Sequence, residues 1–122
     1  MDRESFENWL DAYGKAWESR DPQAAARLFT DDAPYYETPF DEPARAREGI
    51  SEYWAGATGS QRDVSFSSEV LAVTEDRGIA RWKVDFTRLS SDTPVKLDGI
   101  FLVQMNSDGL CTEFREWWHS KK

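Results

Sequence analysis

The sequence of 122 residues has only one cysteine, Cys111, and only one histidine, His119. A lone cysteine cannot form an internal disulfide, and these two side chains are too few for a zinc site, so we expect no bound transition metal. A glycine-rich phosphate loop is also missing, so nothing indicates a nucleotide, and we predict that the protein uses no cofactor. Nucleophilic catalysis by Cys111 has little support, because no group that would activate and orient the thiol is evident.

Long apolar runs and positive charge are scarce as well. No stretch approaches the ~18 apolar residues of a membrane span, and the N-terminus lacks the basic and then apolar run of a signal peptide. The chain holds 15 Lys and Arg against 23 Asp and Glu, a formal net charge of -8. This charge repels phosphate backbones and anionic lipids. We therefore expect a cytoplasmic location and neither nucleic acid nor a membrane surface as a partner.

Aromatic residues, by contrast, are abundant. Phe, Trp and Tyr make up 14% of the sequence, and six of them are tryptophans. That is too many large apolar side chains for a disordered acidic chain, so we expect an aromatic interior inside a charged exterior. Residues 1–42 carry most of the acidic excess, with 11 acidic and 4 basic side chains. The length fits one domain, residues 1–122, with a single core.

The first half of the chain predicts three helices. Between residues 5 and 20, apolar side chains recur at the spacing of an amphipathic helix, at Phe6, Leu10, Tyr13 and Trp17. Asp21 followed by proline predicts the start of a short second helix, which should end near Thr30. A short strand is predicted over residues 35–37 and a third helix over residues 44–55.

The second half alternates apolar and polar residues between turn signals. The pattern predicts four strands, at about residues 63–74, 79–89, 95–105 and 110–118. Turns this short allow only antiparallel hairpins, and helices followed by a meander indicate the α+β class. Strands of about 11 residues must coil or bend to stay packed against three helices. We therefore expect a curved antiparallel sheet with a concave space beneath it.

Three local patterns occur in order along the chain. They are YGKAWESRD at 13–21 with LFTDDA at 28–33, GISEYW at 49–54, and DG at 108–109 with FREWW at 114–118. Together they resemble the nuclear transport factor 2-like superfamily, and within it the SnoaL-like group of polyketide cyclases, ketosteroid isomerase and limonene epoxide hydrolase. The resemblance implies a cone-shaped α+β barrel with an apolar pocket between sheet and helices, commonly a homodimer through the outer sheet face. It does not imply one reaction, because this fold hosts many and includes members that only bind ligands.

Glu116 is the first candidate for catalysis. Strand alternation places Phe114, Glu116 and Trp118 on one face, which by the resemblance looks into the cone. A carboxyl group between two aromatic side chains loses hydration, which raises its pKa and suits it to acid or base chemistry. The alternative is that Glu116 pairs with an arginine such as Arg81 or lies at a wet cone mouth.

Asp98 is the second candidate. It interrupts an otherwise apolar strand, and the following Gly99 permits a bulge that would turn it inward. If Asp98 faces Glu116, the two acids share a cavity and their pKa values separate, leaving one proton donor and one acceptor. The alternative is a solvent-facing aspartate on a regular strand.

Tyr13 is the third candidate, and its role is implied by the resemblance. It falls where ketosteroid isomerase has a tyrosine that donates a hydrogen bond to the substrate oxyanion. The two carboxyl groups of that isomerase correspond here to Thr38 and Phe101, so steroid isomerisation is disfavoured. Glu37 offers a substitute carboxyl, but alternation should point it away from the Thr38 side. Tyr13 could equally be a core tyrosine with a satisfied hydroxyl.

Two further sets of candidate residues concern an epoxide hydrolase reaction and the lining of a ligand site. Epoxide hydrolases of this fold use two aspartates and an arginine, and Asp98, Glu116 and either Arg115 or Arg81 supply those residue types. A flat or cyclic apolar ligand would be lined by aromatic side chains. The candidates are Trp17, Tyr35, Trp54, Trp82, Phe101 and Trp118; plain core filling is the alternative for each.

Two hypotheses about function follow. The first is a cofactor-independent isomerase, cyclase or hydrolase of a small organic molecule, with Glu116 and Asp98 as acid and base and Tyr13 as a hydrogen-bond donor. The second is a non-catalytic ligand-binding or dimerisation module whose cavity is filled mainly by its own aromatic side chains.

Overall fold

A computed structural model describes residues 1–121 of the chain. The helices are α1 (Arg3–Glu18), α2 (Pro22–Ala26) and α3 (Ala46–Thr58). The strands are β1 (Pro34–Tyr36), β2 (Ala44–Arg45), β3 (Gln61–Val73), β4 (Arg77–Arg88), β5 (Thr93–Met105) and β6 (Cys111–Lys121). The α+β class, the three helices and the four long strands predicted from the sequence are confirmed.

All six strands form one curved, open sheet in the order β2-β1-β6-β5-β4-β3. Every neighbouring pair is antiparallel except β1 and β6, which run parallel, with Tyr35 opposite Phe114. The three helices pack on the concave face, which gives the cone. The parallel pair matters for the site, because it places the short first strand directly beside β6.

Helix α1 begins at a capping residue and buries its predicted face. The Asp2 side chain accepts a hydrogen bond from the Ser5 amide at 2.7 Å, and this bond lowers the pKa of Asp2. The helix then presents to the sheet the aromatic and aliphatic row predicted from its spacing, namely Phe6, Leu10, Tyr13 and Trp17, all buried. Tyr13 is thereby fixed in the middle of the cone.

Two boundaries differ from the sequence prediction. Helix α2 ends at Ala26 and not near Thr30, because the backbone of Leu28 and Thr30 instead hydrogen-bonds that of Cys111, at 2.9 Å in each case. Helix α3 begins at Ala46 and not at residue 44, because the two preceding residues pair with β1 as β2. In both places a tertiary backbone pairing replaces a helical turn. No helix within residues 1–121 is long and apolar enough to cross a membrane.

Candidate functional site

The face of β6 that points into the cone carries a buried carboxyl group. Glu116 lies opposite Phe101 on β5 and shares the inner face with Phe114. The residue is only 5% exposed, and its Oε2 atom makes no hydrogen bond within residues 1–121. A buried polar atom without a partner costs about 1–3 kcal/mol. Such a group calls for an explanation, and a binding or catalytic role is one.

Burial controls the ionisation of Glu116. Loss of hydration raises the pKa of Glu116 well above its usual value of 4.5, and the nearby charge of Glu37 raises it further. The carboxyl therefore keeps its proton in a pH range where an exposed glutamate has lost it. A neutral carboxylic acid in an apolar setting can donate a hydrogen bond or a proton.

Two tyrosines lie beside this carboxyl. The hydroxyl oxygens of Tyr13 and Tyr35 are 2.8 Å apart, so one donates a hydrogen bond to the other. Tyr35 reaches this position through the parallel pairing of β1 with β6, and its ring stacks on Phe114 with centroids 4.4 Å apart. Burial first, and the charge of Glu116 second, raise the pKa of both tyrosines. Both hydroxyls therefore stay protonated and remain hydrogen-bond donors.

A second carboxyl group, that of Glu37, lies near enough to Glu116 to affect its pKa. Partial burial and the charge of Asp41 raise the pKa of Glu37, and a hydrogen bond from Tyr53 partly offsets this increase. Tyr53 in turn packs against Tyr35, with ring centroids 5.2 Å apart. Glu37 thus lies between solvent and the cone interior, electrostatically coupled to Glu116.

The structure corrects the expectation that Asp98 turns inward beside Glu116. Asp98 pairs with Lys83 on one side and His119 on the other, and the register continues through Gly99 without a bulge. Regular alternation therefore leaves Asp98 on the outer face. There its carboxylate accepts two hydrogen bonds from Arg81, at 3.1 and 2.7 Å, which lower the pKa of Asp98. Arg81 consequently pairs with Asp98 and not with Glu116.

The predicted lining residues divide into two groups. Trp17, Tyr35, Trp54, Trp82 and Phe101 are all buried in the cone. Trp118 has the same strand parity as Glu116 but is 38% exposed, because β6 continues beyond the packed core.

The buried rings pack closely around Tyr13. Its ring centroid lies 5.1 Å from that of Phe101, 5.2 Å from that of Trp54 and 5.6 Å from that of Phe114. Aromatic side chains therefore occupy the interior, so a ligand has to displace part of this packing. Tyr53 and Trp118 are only partly buried. Because they bury less apolar surface than the other rings, these two side chains can move with the smallest loss of stability.

The arrangement supplies proton donors and one accessible acceptor. Neutral Glu116 and the Tyr13–Tyr35 pair are donors inside the cone, and half-buried Glu37 is a carboxylate that reaches solvent. Within residues 1–121, no three His, Cys, Asp or Glu side chains come together in a way that could hold a metal ion. The donor and acceptor set fits acid–base chemistry on an oxygen-bearing molecule.

Solved structures with this architecture include proteins linked to isomerase and cyclase chemistry. A Bacillus subtilis protein proposed to be an isomerase matches with a TM-score of 0.86 at 16% identity, over 98% of this chain and 90% of that one. SalBIII, an epoxide hydrolase/cyclase-like enzyme in pyran ring formation of the polyether salinomycin, matches with a TM-score of 0.83 at 16% identity, over 97% and 93% of the two chains.

A third solved structure extends the comparison. It is a hypothetical protein with a ketosteroid isomerase-like fold from Catenulispora acidiphila, in complex with trimethylamine. Its TM-score is 0.79 at 18% identity, over 89% of this chain and 83% of that one. At these identities the likeness shows the class of fold alone, a cone-shaped α+β fold of the ketosteroid isomerase-like type.

The sequence itself gives the family. The model of the SnoaL-like domain matches residues 9–114, which is most of the chain. The protein therefore belongs to the SnoaL-like family, as the three sequence patterns predicted. No curated protein matches the sequence significantly.

Proposed function

We propose that this protein binds a small apolar or aromatic organic molecule in its cone and catalyses a cofactor-independent acid–base reaction of the isomerase, cyclase or hydrolase type. The observation that carries the proposal is the Glu116 carboxyl group, buried among aromatic rings with one oxygen unpartnered. Membership of the SnoaL-like family, and neighbours linked to isomerase and cyclase chemistry, support the reaction types.

Each polar group has a role in this proposal. Glu116 donates its proton to a substrate oxygen, and the Tyr13–Tyr35 pair donates a hydrogen bond that stabilises the charge developing there. Glu37 takes the place that the sequence suggested for Asp98, as the base that removes a proton from carbon, from a hydroxyl or from water. One turnover leaves Glu37 protonated and Glu116 ionised, so the starting state returns only when Glu37 releases its proton and Glu116 takes one up, either from Glu37 or from solvent that enters the cone as the product leaves.

The second candidate function is binding without catalysis. The close packing of aromatic rings around Tyr13 favours it, because a filled interior leaves a bound molecule less room to react. Under this alternative Glu116 recognises a ligand and transfers no proton.

One experiment distinguishes the two candidate functions. A panel of small cyclic compounds is screened by thermal shift, since a ligand that binds only the folded state raises its apparent stability. Each hit is then incubated with the protein and followed by NMR for chemical change. We expect a hit to be converted, and Glu116→Gln to slow conversion by about 100-fold or more.

The matched control is Glu113→Gln, on the outward face of the same strand. Glu113 forms an ion pair with Arg115 at 3.0 Å and lies outside the cone, so its loss should leave both binding and conversion unchanged. Binding without any conversion would favour the second candidate. Conversion at an equal rate in wild type and Glu116→Gln would remove Glu116 from the mechanism.

The outer face of the sheet supports a homodimer as a further part of this proposal. Trp117 is 46% exposed there, and its strand partner Ile100, with Leu102 beyond it, is also part-exposed on this face. Charged side chains of both signs flank this apolar strip, including those of the Arg81–Asp98 ion pair. A strip of this kind fits against a second copy of itself.

We expect Trp117→Glu to convert a dimer into a monomer. A charge buried without a partner at a two-fold interface is introduced twice, once from each copy. Sedimentation velocity at several concentrations measures the change, and Trp118→Glu on the opposite face serves as the control. A wild-type protein that sediments as a monomer throughout would rule out the dimer.

A further inference from the structure

The buried tryptophans differ in how their indole N–H groups are satisfied. Trp9 donates to the Leu28 carbonyl oxygen at 3.0 Å, and Trp17 donates to the Gln61 side-chain oxygen at 2.8 Å. The Nε1 atoms of Trp54 and Trp82 are equally buried but make no hydrogen bond within residues 1–121. Two buried donors are therefore left unsatisfied in a protein that satisfies the other two.

Both unsatisfied indoles belong to the same aromatic interior. Both rings contact that of Trp17, with ring centroids 5.6 Å apart for Trp54 and 5.5 Å apart for Trp82. Trp54 also packs edge-on against Tyr13 at 5.2 Å, and Trp82 stacks on Phe101 at 4.9 Å. These contacts connect both rings to the side chains that surround Glu116.

The chemistry of these groups restricts what could satisfy them. An indole N–H is a donor only, whereas a neutral carboxyl group donates through its O–H and accepts through its other oxygen. A hydrocarbon ligand would leave both indole N–H groups unpaired, and an ammonium group, which is itself a donor without an acceptor, would leave them unpaired as well. A carbonyl, ether or epoxide oxygen accepts such hydrogen bonds and carries no charge into an apolar interior.

We propose that Trp54 and Trp82 are ligand-recognition residues, whose indole N–H groups donate hydrogen bonds to oxygen acceptors of a neutral cyclic ligand in the cone. The inference rests on the proposed binding of a small molecule there and adds the class of ligand. It also assigns the two indoles a polar role beyond aromatic lining.

The test uses three probes of one shape: 1-indanone, which has an acceptor oxygen; indane, which has no polar group; and 1-aminoindane, which is a cation at neutral pH. The indole N–H signals of the uniformly ¹⁵N-labelled protein are followed during each titration, with assignments from single Trp→Phe variants. We expect 1-indanone to shift the Trp54 and Trp82 signals downfield and to bind about tenfold more tightly than the other two probes.

Phenylalanine variants provide the second measurement. Trp54→Phe and Trp82→Phe keep an aromatic ring but remove the N–H, so each should weaken 1-indanone binding about five- to tenfold. Trp9→Phe is the matched control, since Trp9 and Trp54 are both 3% exposed. It loses a hydrogen bond present in the free protein, so it should lower the melting temperature more than Trp54→Phe while leaving 1-indanone affinity unchanged.

The outcomes distinguish this inference from the proposed function. Weaker binding in the Trp54 and Trp82 variants supports the inference, even if Glu116→Gln has no effect on conversion and the catalytic proposal fails. Binding of 1-indanone that depends on Glu116 but leaves both indole signals and both variants unchanged overturns the inference alone. Tighter binding of 1-aminoindane or indane, or no binding of 1-indanone up to its solubility, overturns it as well.

Discussion

The stability of the wild-type protein should fall as pH rises above about 4.5, and Glu116→Gln should remove most of this fall. The unfolded chain releases the Glu116 proton near the usual pKa of 4.5, whereas the folded chain holds it to higher pH because the carboxyl is buried. Between those two pKa values the unfolded state binds fewer protons, so stability decreases as pH increases. The contribution is complete below pH 4.5 and is lost as pH rises toward the folded pKa.

The effect is large because each pH unit in this window costs about 1.4 kcal/mol for one group. Urea unfolding at a series of pH values from 4 to 8 measures it, with Glu113→Gln as the control on the outer face of the same strand. Glutamine has nearly the shape of glutamate and no charge at any of these pH values. Parallel stability curves for wild type and Glu116→Gln would show that the carboxyl ionises normally and is hydrated in the folded protein.

The sequence was sufficient for the features that depend on local periodicity. The spacing of Phe6, Leu10, Tyr13 and Trp17 predicted both a helix and its buried face, and the structure has both. Alternation on the last strand likewise placed Glu116 beside Phe114 on the inner face. These features were predictable because the side-chain period of a helix or strand is fixed by its backbone geometry.

The prediction that Asp98 points inward required a β-bulge at Gly99, and local periodicity does not specify where a bulge occurs. Gly99 suggested one, but the bulges lie elsewhere, including two on β3. The glycine has a different purpose, because a Cβ atom at this position would collide with the Trp117 carbonyl oxygen and the Trp118 side chain of the adjacent strand. Gly99 thus allows close approach of β5 and β6 and leaves the alternation of β5 intact.

From the sequence, Glu37 was named only as a substitute carboxyl, and its position near Glu116 was not predicted. Its approach to Glu116 requires the parallel pairing of β1 with β6, a contact between distant parts of the chain that no local pattern encodes. One signal was available in the sequence, since Glu37 is two residues after Tyr35 and shares its strand parity. Tyr36 is equally large and aromatic, however, so parity alone does not decide whether the face of Tyr35 and Glu37 or that of Tyr36 points inward.

Phe101→Ala should destabilise the protein by about 3–5 kcal/mol, because it removes a fully buried ring. Phe101 packs against Tyr13, Trp82 and Phe114 with ring centroids about 5 Å apart, so truncation leaves a cavity that these rigid neighbours cannot fill. Trp118→Ala is the control on the same inner face, and at 38% exposure it should cost only about 1 kcal/mol.

Urea unfolding of both variants compares the free energy of unfolding lost at a fully buried ring with that lost at a partly exposed one. A loss of several kcal/mol for Phe101→Ala, out of a total of about 5–15 kcal/mol for a domain, would mean that this ring is part of the packed core. The same variant should then open a binding space in the cone, detectable as a thermal shift with 1-indanone larger than in wild type. Equal, small losses for the two variants would instead show that the interior around Phe101 is already hydrated and open.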